Sequence, residues 1–113
     1  MKKIEAIIKP SKLSNVKDAL HEIGLTGMTV SDVKGFGRQR GQDEGLKNNL
    51  DYDDEFRVKI KIELIIEDKI VEKALETIKN AAYSGKIGDG KIFIYTIDQV
   101  IRIRTGEKGS DAV

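Results

Sequence analysis

Cysteine is absent from this chain, and histidine occurs only once, at position 21. The lack of thiols excludes disulfide bonds, thiolate metal sites and cysteine nucleophiles. His21 falls in a helical pattern between Leu20 and Glu22, where we expect a surface or boundary histidine. A single histidine with carboxylates is not a typical zinc site, so we expect none.

Aromatic residues and long apolar runs are also scarce. Tryptophan is absent and aromatic residues amount to 5%, so the core of this 113-residue chain must be built from Ile, Val, Leu and Ala. No apolar run reaches the length of a membrane span, and Glu5 falls where a signal peptide needs an apolar stretch. The 20 basic and 19 acidic residues leave a net charge of +1, which argues against nucleic-acid binding by bulk charge. We therefore expect one cytoplasmic domain over residues 1–113, without direct insertion into a membrane.

The first third of the chain predicts a strand, a helix and a second strand. Alternating apolar residues predict a strand over 3–9, which Pro10 ends because proline cannot donate to a ladder. A helix follows, with Ser14 as its predicted cap and Gly24 at its end. Its apolar stripe is Val16, Ala19, Leu20 and Ile23. Residues 27–34 predict the next strand.

The second half of the chain predicts the same order of elements. Alternation over 57–66 gives the clearest strand, and Asp68 is the predicted cap of a second helix that Gly85 closes. The apolar stripe of that helix is Val71, Ala74, Leu75, Ile78 and Ala82. A strand over 91–97 is apolar on both faces and therefore needs cover from the helices and from a neighbouring subunit. A short strand over 100–104 precedes a polar tail at about 105–113.

The order β-α-β-β-α-β predicts an α+β fold, the ferredoxin-like sandwich with both helices on one face of an antiparallel sheet. Between its second and third strands, residues 35–55 lack periodicity and are rich in glycine and acidic residues. Loops of this length in a compact domain are usually functional or disordered. We interpret this one as a functional loop rather than a linker between domains.

Residues 85–91, Gly-Lys-Ile-Gly-Asp-Gly-Lys, suit the binding of a phosphate. Glycine lets backbone N–H groups approach an anion, and lysine adds positive charge. The spacing superficially matches a P-loop, but Ile92 stands where serine or threonine should hold magnesium. The order is also helix, loop, strand rather than strand, loop, helix. The alternative is an ordinary turn between a helix and a strand.

A second glycine-rich run, residues 35–41, resembles the dinucleotide pattern G-x-G-x-x-G, but Arg40 occupies the position of the third glycine and no helix follows. Arg38 and Gln39 still make this run a candidate anion site, because both side chains are forked donors.

Two arginines, Arg102 and Arg104, are predicted to share one face of the last strand. Their guanidinium groups repel each other unless an anion or a carboxylate lies between them. The pair is therefore either a phosphate contact or a surface pair neutralised by an acidic residue. No catalytic set accompanies these motifs, so we expect a binding protein rather than an enzyme.

Four segments in the same order resemble the PII signal-transduction family and together cover nearly the whole chain. They are residues 1–10, 27–39, 85–93 and 101–107. The resemblance implies a homotrimer that binds ATP or ADP in the clefts between subunits and reports nitrogen status to partner proteins.

The resemblance also implies the residues of the two ligand sites. The nucleotide-binding set would be Thr29, Gly35, Gly37, Arg38, Gln39, Glu63, Leu64, Gly88, Asp89, Gly90, Lys91, Arg102 and Arg104. Arg102 and Arg104 would reach the phosphates from the adjacent subunit, and Glu63 and Leu64 would lie near the adenine. The effector would be 2-oxoglutarate, chelating a Mg²⁺ that also contacts the phosphates, with Gln39 completing the shell of the metal. The 2-oxoglutarate set would be Lys9, Gln39, Gly41, Lys59 and Gly88.

By the same resemblance, residues 37–56 would be the T-loop, which contacts ammonium transporters and nitrogen-metabolism enzymes or regulators. A transporter would recruit the protein to the membrane. The segment 42–56 departs from the family, since it lacks the usual Tyr-Arg-Gly run and is one residue longer than the common bacterial loop, and Ser11 replaces a usual aromatic. Lys47 is the basic residue nearest the tip, where the family uses arginine. Tyr52 aligns with the tyrosine that some bacteria uridylylate, although its acidic neighbours disfavour an approaching nucleotide.

Three other functions stay open on the sequence. RNA-recognition domains share the βαββαβ order, but they stack bases on aromatics of the third strand, and residues 57–63 contain none. Slow ATP hydrolysis is compatible with the nucleotide motifs, although no residue is assigned to position a water. A metal-tolerance trimer of similar fold is disfavoured by the lack of cysteine and the single histidine.

Overall fold

A computed structural model describes residues 1–36 and 57–113 of the chain. In chain order its helices and strands are β1 (Lys2–Ile8), α1 (Leu13–Glu22), β2 (Thr29–Gly35), β3 (Arg57–Ile66), α2 (Val71–Ala82) and β4 (Lys91–Thr96). The four strands form one antiparallel sheet in the order β2-β3-β1-β4. Both helices pack on one face of it, which confirms the α+β, ferredoxin-like fold. None of the helices in these two ranges is long and apolar enough to cross a bilayer.

The core lies between the two helices and the two central strands, β1 and β3. Alternate residues of each strand point toward the helices, and the helices supply the opposing apolar stripe. The buried residues of this core are Ile4, Ala6, Ile8, Val16, Leu20, Ile60, Ile62, Leu64, Ile66, Ala74, Ile78 and Ala82. Burying each large aliphatic side chain here contributes about 1.5–3 kcal/mol to the stability of the fold. A shift of register would move these side chains to the solvent, so the core fixes the register of the sheet.

Both predicted helix caps are wrong. Each helix is preceded by a turn of 3₁₀-helix, Pro10–Lys12 and Asp68–Ile70, and neither α-helix has a side-chain cap. Ser14 therefore lies inside the first turn of α1. Asp68 binds the N-terminal ammonium of Met1 at 2.9 Å, and this hydrogen bond lowers the pKa of the Asp68 carboxyl.

Strand β4 lies at an edge of the sheet, and its apolar residues are only partly covered within one chain. Phe93, Ile94 and Tyr95 are 43–48% exposed, although they lie on both faces of the strand. The predicted strand over 100–104 is wrong, because the described chain has only an isolated bridge between Ile101 and Lys108 there, followed by a turn at 103–105.

Candidate functional site

The glycine-rich turn before β4 has left-handed backbone at three positions. Gly85, Gly88 and Gly90 have φ angles of +81°, +97° and +98°, which side-chain-bearing residues rarely adopt. Gly90 also packs directly on β1, since a Cβ there would lie 1.7 Å from the carbonyl oxygen of Ile7. Left-handed residues are a component of backbone nests that bind anions. The turn is therefore shaped by its glycines and pressed against the end of the sheet.

A network of side-chain hydrogen bonds closes this turn. The Asp89 carboxylate accepts from the hydroxyl of Ser84, from the backbone N–H of Ser84 at 2.8 Å and from that of Gly85 at 2.9 Å. Lys9, just after β1, donates to Ser84 Oγ at 3.0 Å and lies 3.3 Å from Asp89 Oδ1. These hydrogen bonds lower the pKa of the Asp89 carboxyl, and the largest contribution comes from the Ser84 hydroxyl. Asp89 is therefore an anion at neutral pH.

Lys59 of β3 holds the other side of the turn. Its side chain is nearly buried, at 8% exposure, and its Nζ donates to the carbonyl oxygen of Gly88 at 2.8 Å. Burial, reinforced by the nearby charges of Lys9 and Arg57, lowers the pKa of Lys59. Gly35 lies beside the stem of this lysine, because a Cβ there would be 3.5 Å from Lys59 Cγ. The fold thus brings Gly35, Lys59 and the turn together at one end of the sheet.

The lowered pKa of Lys59 predicts how stability changes with pH. Between the folded-state pKa and the ordinary value of 10.5, the unfolded chain binds more protons than the folded chain. The free energy of unfolding of the wild type, relative to Lys59→Met, should therefore rise with pH across that window. Urea unfolding of both proteins, from about pH 7 to about pH 10.5, measures the difference. A difference between wild type and Lys59→Met that stays flat across this pH range would contradict the effect of burial on Lys59.

Thr29, Glu63 and Leu64 lie apart from the turn in the single chain. Thr29 pairs with Glu63 at the far end of the β2–β3 ladder, about 20 Å along the strand from Gly35. Glu63 binds Lys3 at 2.9 Å, and this hydrogen bond lowers the pKa of the Glu63 carboxyl. The side chain of Leu64 is buried in the core, which leaves its backbone as the part that a ligand can contact.

Arg104 lies in the turn at 103–105, and Arg102 directly precedes that turn. Arg102 Nη1 is 3.3 Å from Glu107 Oε1, and that same oxygen accepts from Thr105 Oγ1 at 2.9 Å. Since residues 103–105 form a turn, the expectation that Arg102 and Arg104 share a strand face is wrong. Arg104 is exposed, and Arg102 makes its ion pair within its own turn rather than with residues 85–91. The carboxylate expected as the alternative to a phosphate is thus present, as Glu107.

The structure adds two residues that the sequence patterns did not single out. Ser84 and Glu107 both bind a residue that was predicted, Asp89 and Arg102 respectively. The sequence feature that could have identified Ser84 is its position just before a glycine-rich turn, because serine hydroxyls in turns commonly form hydrogen bonds with nearby backbone.

Six predicted residues lie outside the described residues: Gly37, Arg38, Gln39, Gly41, Lys47 and Tyr52. Among residues 1–36 and 57–113 there is no cluster of three His, Cys, Asp or Glu side chains suited to a metal. Magnesium is commonly held by one or two protein ligands together with phosphates and waters, and the glycine-rich turn with the ammonium groups of Lys9 and Lys59 fits the anions of such a site.

Comparison with known proteins identifies the family and agrees with the fold. A sequence model of the family described as nitrogen regulatory protein P-II matches residues 1–107. The nitrogen regulatory protein P-II of Rhodospirillum rubrum is 62% identical, and P-II 1 of Escherichia coli K12 is 54% identical, both over the full length of both chains. A crystal structure of Arabidopsis thaliana PII bound to citrate has a TM-score of 0.82 and 41% identity, covering 99% of this chain and 91% of that one. These relatives are named as regulatory proteins rather than enzymes. The chain therefore belongs to the nitrogen regulatory protein P-II family.

Proposed function

We propose that this protein reports nitrogen status by binding ATP or ADP together with 2-oxoglutarate and Mg²⁺, and by passing the bound state to partner proteins through residues 37–56. The observation that carries the proposal is the cluster at one end of the sheet. There a turn with three left-handed glycines meets the ammonium groups of Lys9 and Lys59. Such a combination of backbone and charge suits a phosphate or a carboxylate.

The nucleotide phosphates would lie against the turn. Gly88, Gly90 and Lys91 would contribute backbone N–H groups and one ammonium. As the family resemblance implies, Arg102 and Arg104 would come from an adjacent subunit, and Arg102 would have to share its contact with Glu107. Thr29, Glu63 and the backbone of Leu64 would line the part of the cleft near the base, and Glu63 would have to share its contact with Lys3.

The 2-oxoglutarate site would use the nearly buried ammonium of Lys59. Its present acceptor, the carbonyl oxygen of Gly88, is neutral, whereas a carboxylate makes a stronger, charge-assisted bond. Gln39 would hold a Mg²⁺, and the positive charge of that ion would favour the binding of the two anionic ligands together. Gln39 and Gly41 would complete this site.

Reciprocal coupling is the test of this function. If both ligands share one metal, each must raise the affinity of the other by the same factor. Calorimetric titration of ATP with Mg²⁺ and of 2-oxoglutarate, each alone and in the presence of the other, measures both factors. Gln39→Ala should lose the coupling more than it loses ATP affinity. Binding of 2-oxoglutarate that is equally tight without nucleotide and metal would refute the shared metal.

The same arrangement predicts a trimer. Partly exposed apolar residues on β4 and a fully exposed Ile103, at 98%, are surfaces that a monomer would leave in water. The family supplies the number three. Light scattering at micromolar concentration should give three times the 12.6 kDa of one chain. A monomeric mass would overturn the proposed cleft as well as the trimer.

We propose a cytoplasmic location and a T-loop that acts on an ammonium transporter, on nitrogen-metabolism enzymes or on their regulators. Lys47 would enter a narrow pore as a point charge, since lysine lacks the flat fork of arginine. The transporter would hold the protein at the membrane without insertion. Tyr52 is the candidate for covalent modification.

A further inference from the structure

Ser84 is the residue that connects the two sides of the glycine-rich turn. Its hydroxyl donates to Asp89, accepts from Lys9 Nζ at 3.0 Å and accepts from the backbone N–H of Lys86 at 3.2 Å. Its own backbone N–H donates to Asp89 at 2.8 Å. Four hydrogen bonds thus meet at one small residue that the ligand-site assignments above do not include.

The turn needs such bracing because glycine is the residue with the most conformational freedom to lose. Three of the six residues from Gly85 to Gly90 are glycines with positive φ. A backbone of this kind can present N–H groups to a phosphate only if something else fixes it, since a disordered turn would lose that entropy on binding. Packing on Ile7 fixes Gly90, and Lys59 fixes Gly88. The start of the turn is fixed by Asp89 and Ser84.

The orientation of Asp89 follows from the same bonds. Its two carboxylate oxygens are engaged by Ser84, Gly85 and Lys9, all of them donors within the chain. A carboxylate also repels a phosphate, so its value near a nucleotide lies in holding the backbone rather than in touching the ligand. The ammonium group of Lys9 likewise contacts Ser84 and Asp89.

We infer that Ser84, Asp89 and Lys9 form a positioning clamp that holds the glycine-rich turn in its phosphate-binding shape before the ligand arrives. Asp89 and Lys9 then act through the turn and not as direct ligand contacts. The expected effect of the clamp on binding rests on the proposed nucleotide function, whereas the clamp itself rests on the hydrogen bonds of these three residues.

The first test measures amide hydrogen exchange at residues 84–86 of the ligand-free trimer, with NMR as the method of detection. Their N–H groups donate directly to the clamp. In Ser84→Ala we expect exchange at these amides to accelerate, and in Ser84→Thr, which keeps the hydroxyl, we expect wild-type protection. Unchanged exchange in Ser84→Ala overturns the clamp, whatever the protein binds.

The second test is ADP affinity, measured without 2-oxoglutarate. Ser84→Ala should weaken ADP binding by about tenfold, the low end of what the loss of a charge-assisted hydrogen bond produces, because the hydroxyl bonds the Asp89 carboxylate and the Lys9 ammonium. Ser84→Thr should keep the wild-type affinity. Faster exchange in Ser84→Ala with unchanged ADP affinity overturns the positioning role. A wild type that binds no nucleotide refutes the proposed function instead, while the exchange result still decides the clamp.

Lys9→Met separates the clamp from direct contact with 2-oxoglutarate, and it keeps the length of the side chain in case Ser84→Ala folds poorly. If Lys9 is part of the clamp, Lys9→Met should speed exchange at residues 84–86 and weaken ADP binding in the absence of 2-oxoglutarate. A variant that loses only 2-oxoglutarate affinity, with exchange and ADP affinity unchanged, would return Lys9 to the effector site and overturn this part of the inference.

Discussion

Gly90→Ala is expected to destabilise the protein by about 2–6 kcal/mol and to abolish nucleotide binding. Its φ of +98° imposes backbone strain of about 1–3 kcal/mol on an alanine. The added Cβ would lie 1.7 Å from the carbonyl oxygen of Ile7 and 2.8 Å from its carbonyl carbon, so backbone must move, at a further cost of about 1–3 kcal/mol. Urea unfolding gives the free energy, and calorimetry with ADP gives the binding. The change is large against a total stability of about 5–15 kcal/mol.

Gly24→Ala is the matched control for this prediction. Gly24, which ends α1 as the sequence predicts, has a similar φ of +91° but no atom within 4 Å of an added Cβ. It should show the strain alone, with ADP affinity kept. Equal losses of stability in the two variants would mean that the close approach of Gly90 to β1 contributes nothing.

The sequence predicted those elements of the fold that a local pattern of apolar residues is sufficient to determine. Alternation over 57–66 identified β3 with its bounds, because a strand that buries one face must place an apolar residue at every second position. The start of that strand shows the limit of the rule. Val58 is exposed while Lys59 is nearly buried, since Lys59 has an acceptor in the turn that alternation alone does not reveal.

The wrong predictions share a physical cause, which is competition between alternatives of similar energy. Ser14 and Asp68 have good capping side chains, but 3₁₀ turns precede both helices and the N-terminal ammonium of Met1 offers Asp68 an opposite charge. Residues 100–104 have strand-like composition, but among residues 1–36 and 57–113 no strand pairs with them, so a turn and one bridge form instead. A pattern gives the preference of a segment, and the partners available to it decide the outcome.

The candidate site was predictable in its backbone and not in its side-chain bonds. Glycine and lysine at 85–91 carry a recognisable chemistry, so the turn was found. Its clamp depends on Lys9, which is 75 residues from Ser84 in sequence, and no local pattern joins them. The same holds for Lys59 and Gly88, which the fold brings together from different elements.

Arg102→Ala is expected to weaken ATP binding by about ten- to a hundredfold, with little change in the stability of the fold. Loss of a charge-assisted bond to phosphate removes about 1.5–3 kcal/mol, which converts to that range of affinity. Stability should change little because the ion pair of Arg102 with Glu107 is half exposed, and an exposed ion pair contributes little. Calorimetry with ATP and Mg²⁺ measures the affinity, and urea unfolding measures the stability.

Two control variants separate the phosphate contact from other effects of this change. Lys17→Ala removes an exposed positive charge on α1, and an unchanged ATP affinity there excludes a general effect of net charge. Glu107→Gln frees Arg102 from its carboxylate, so ATP affinity should stay the same or rise by up to about fivefold, the most that an exposed ion pair competes. If Glu107→Gln instead weakens ATP binding as much as Arg102→Ala does, the role of Arg102 is to hold its own turn, and the phosphate must be bound elsewhere.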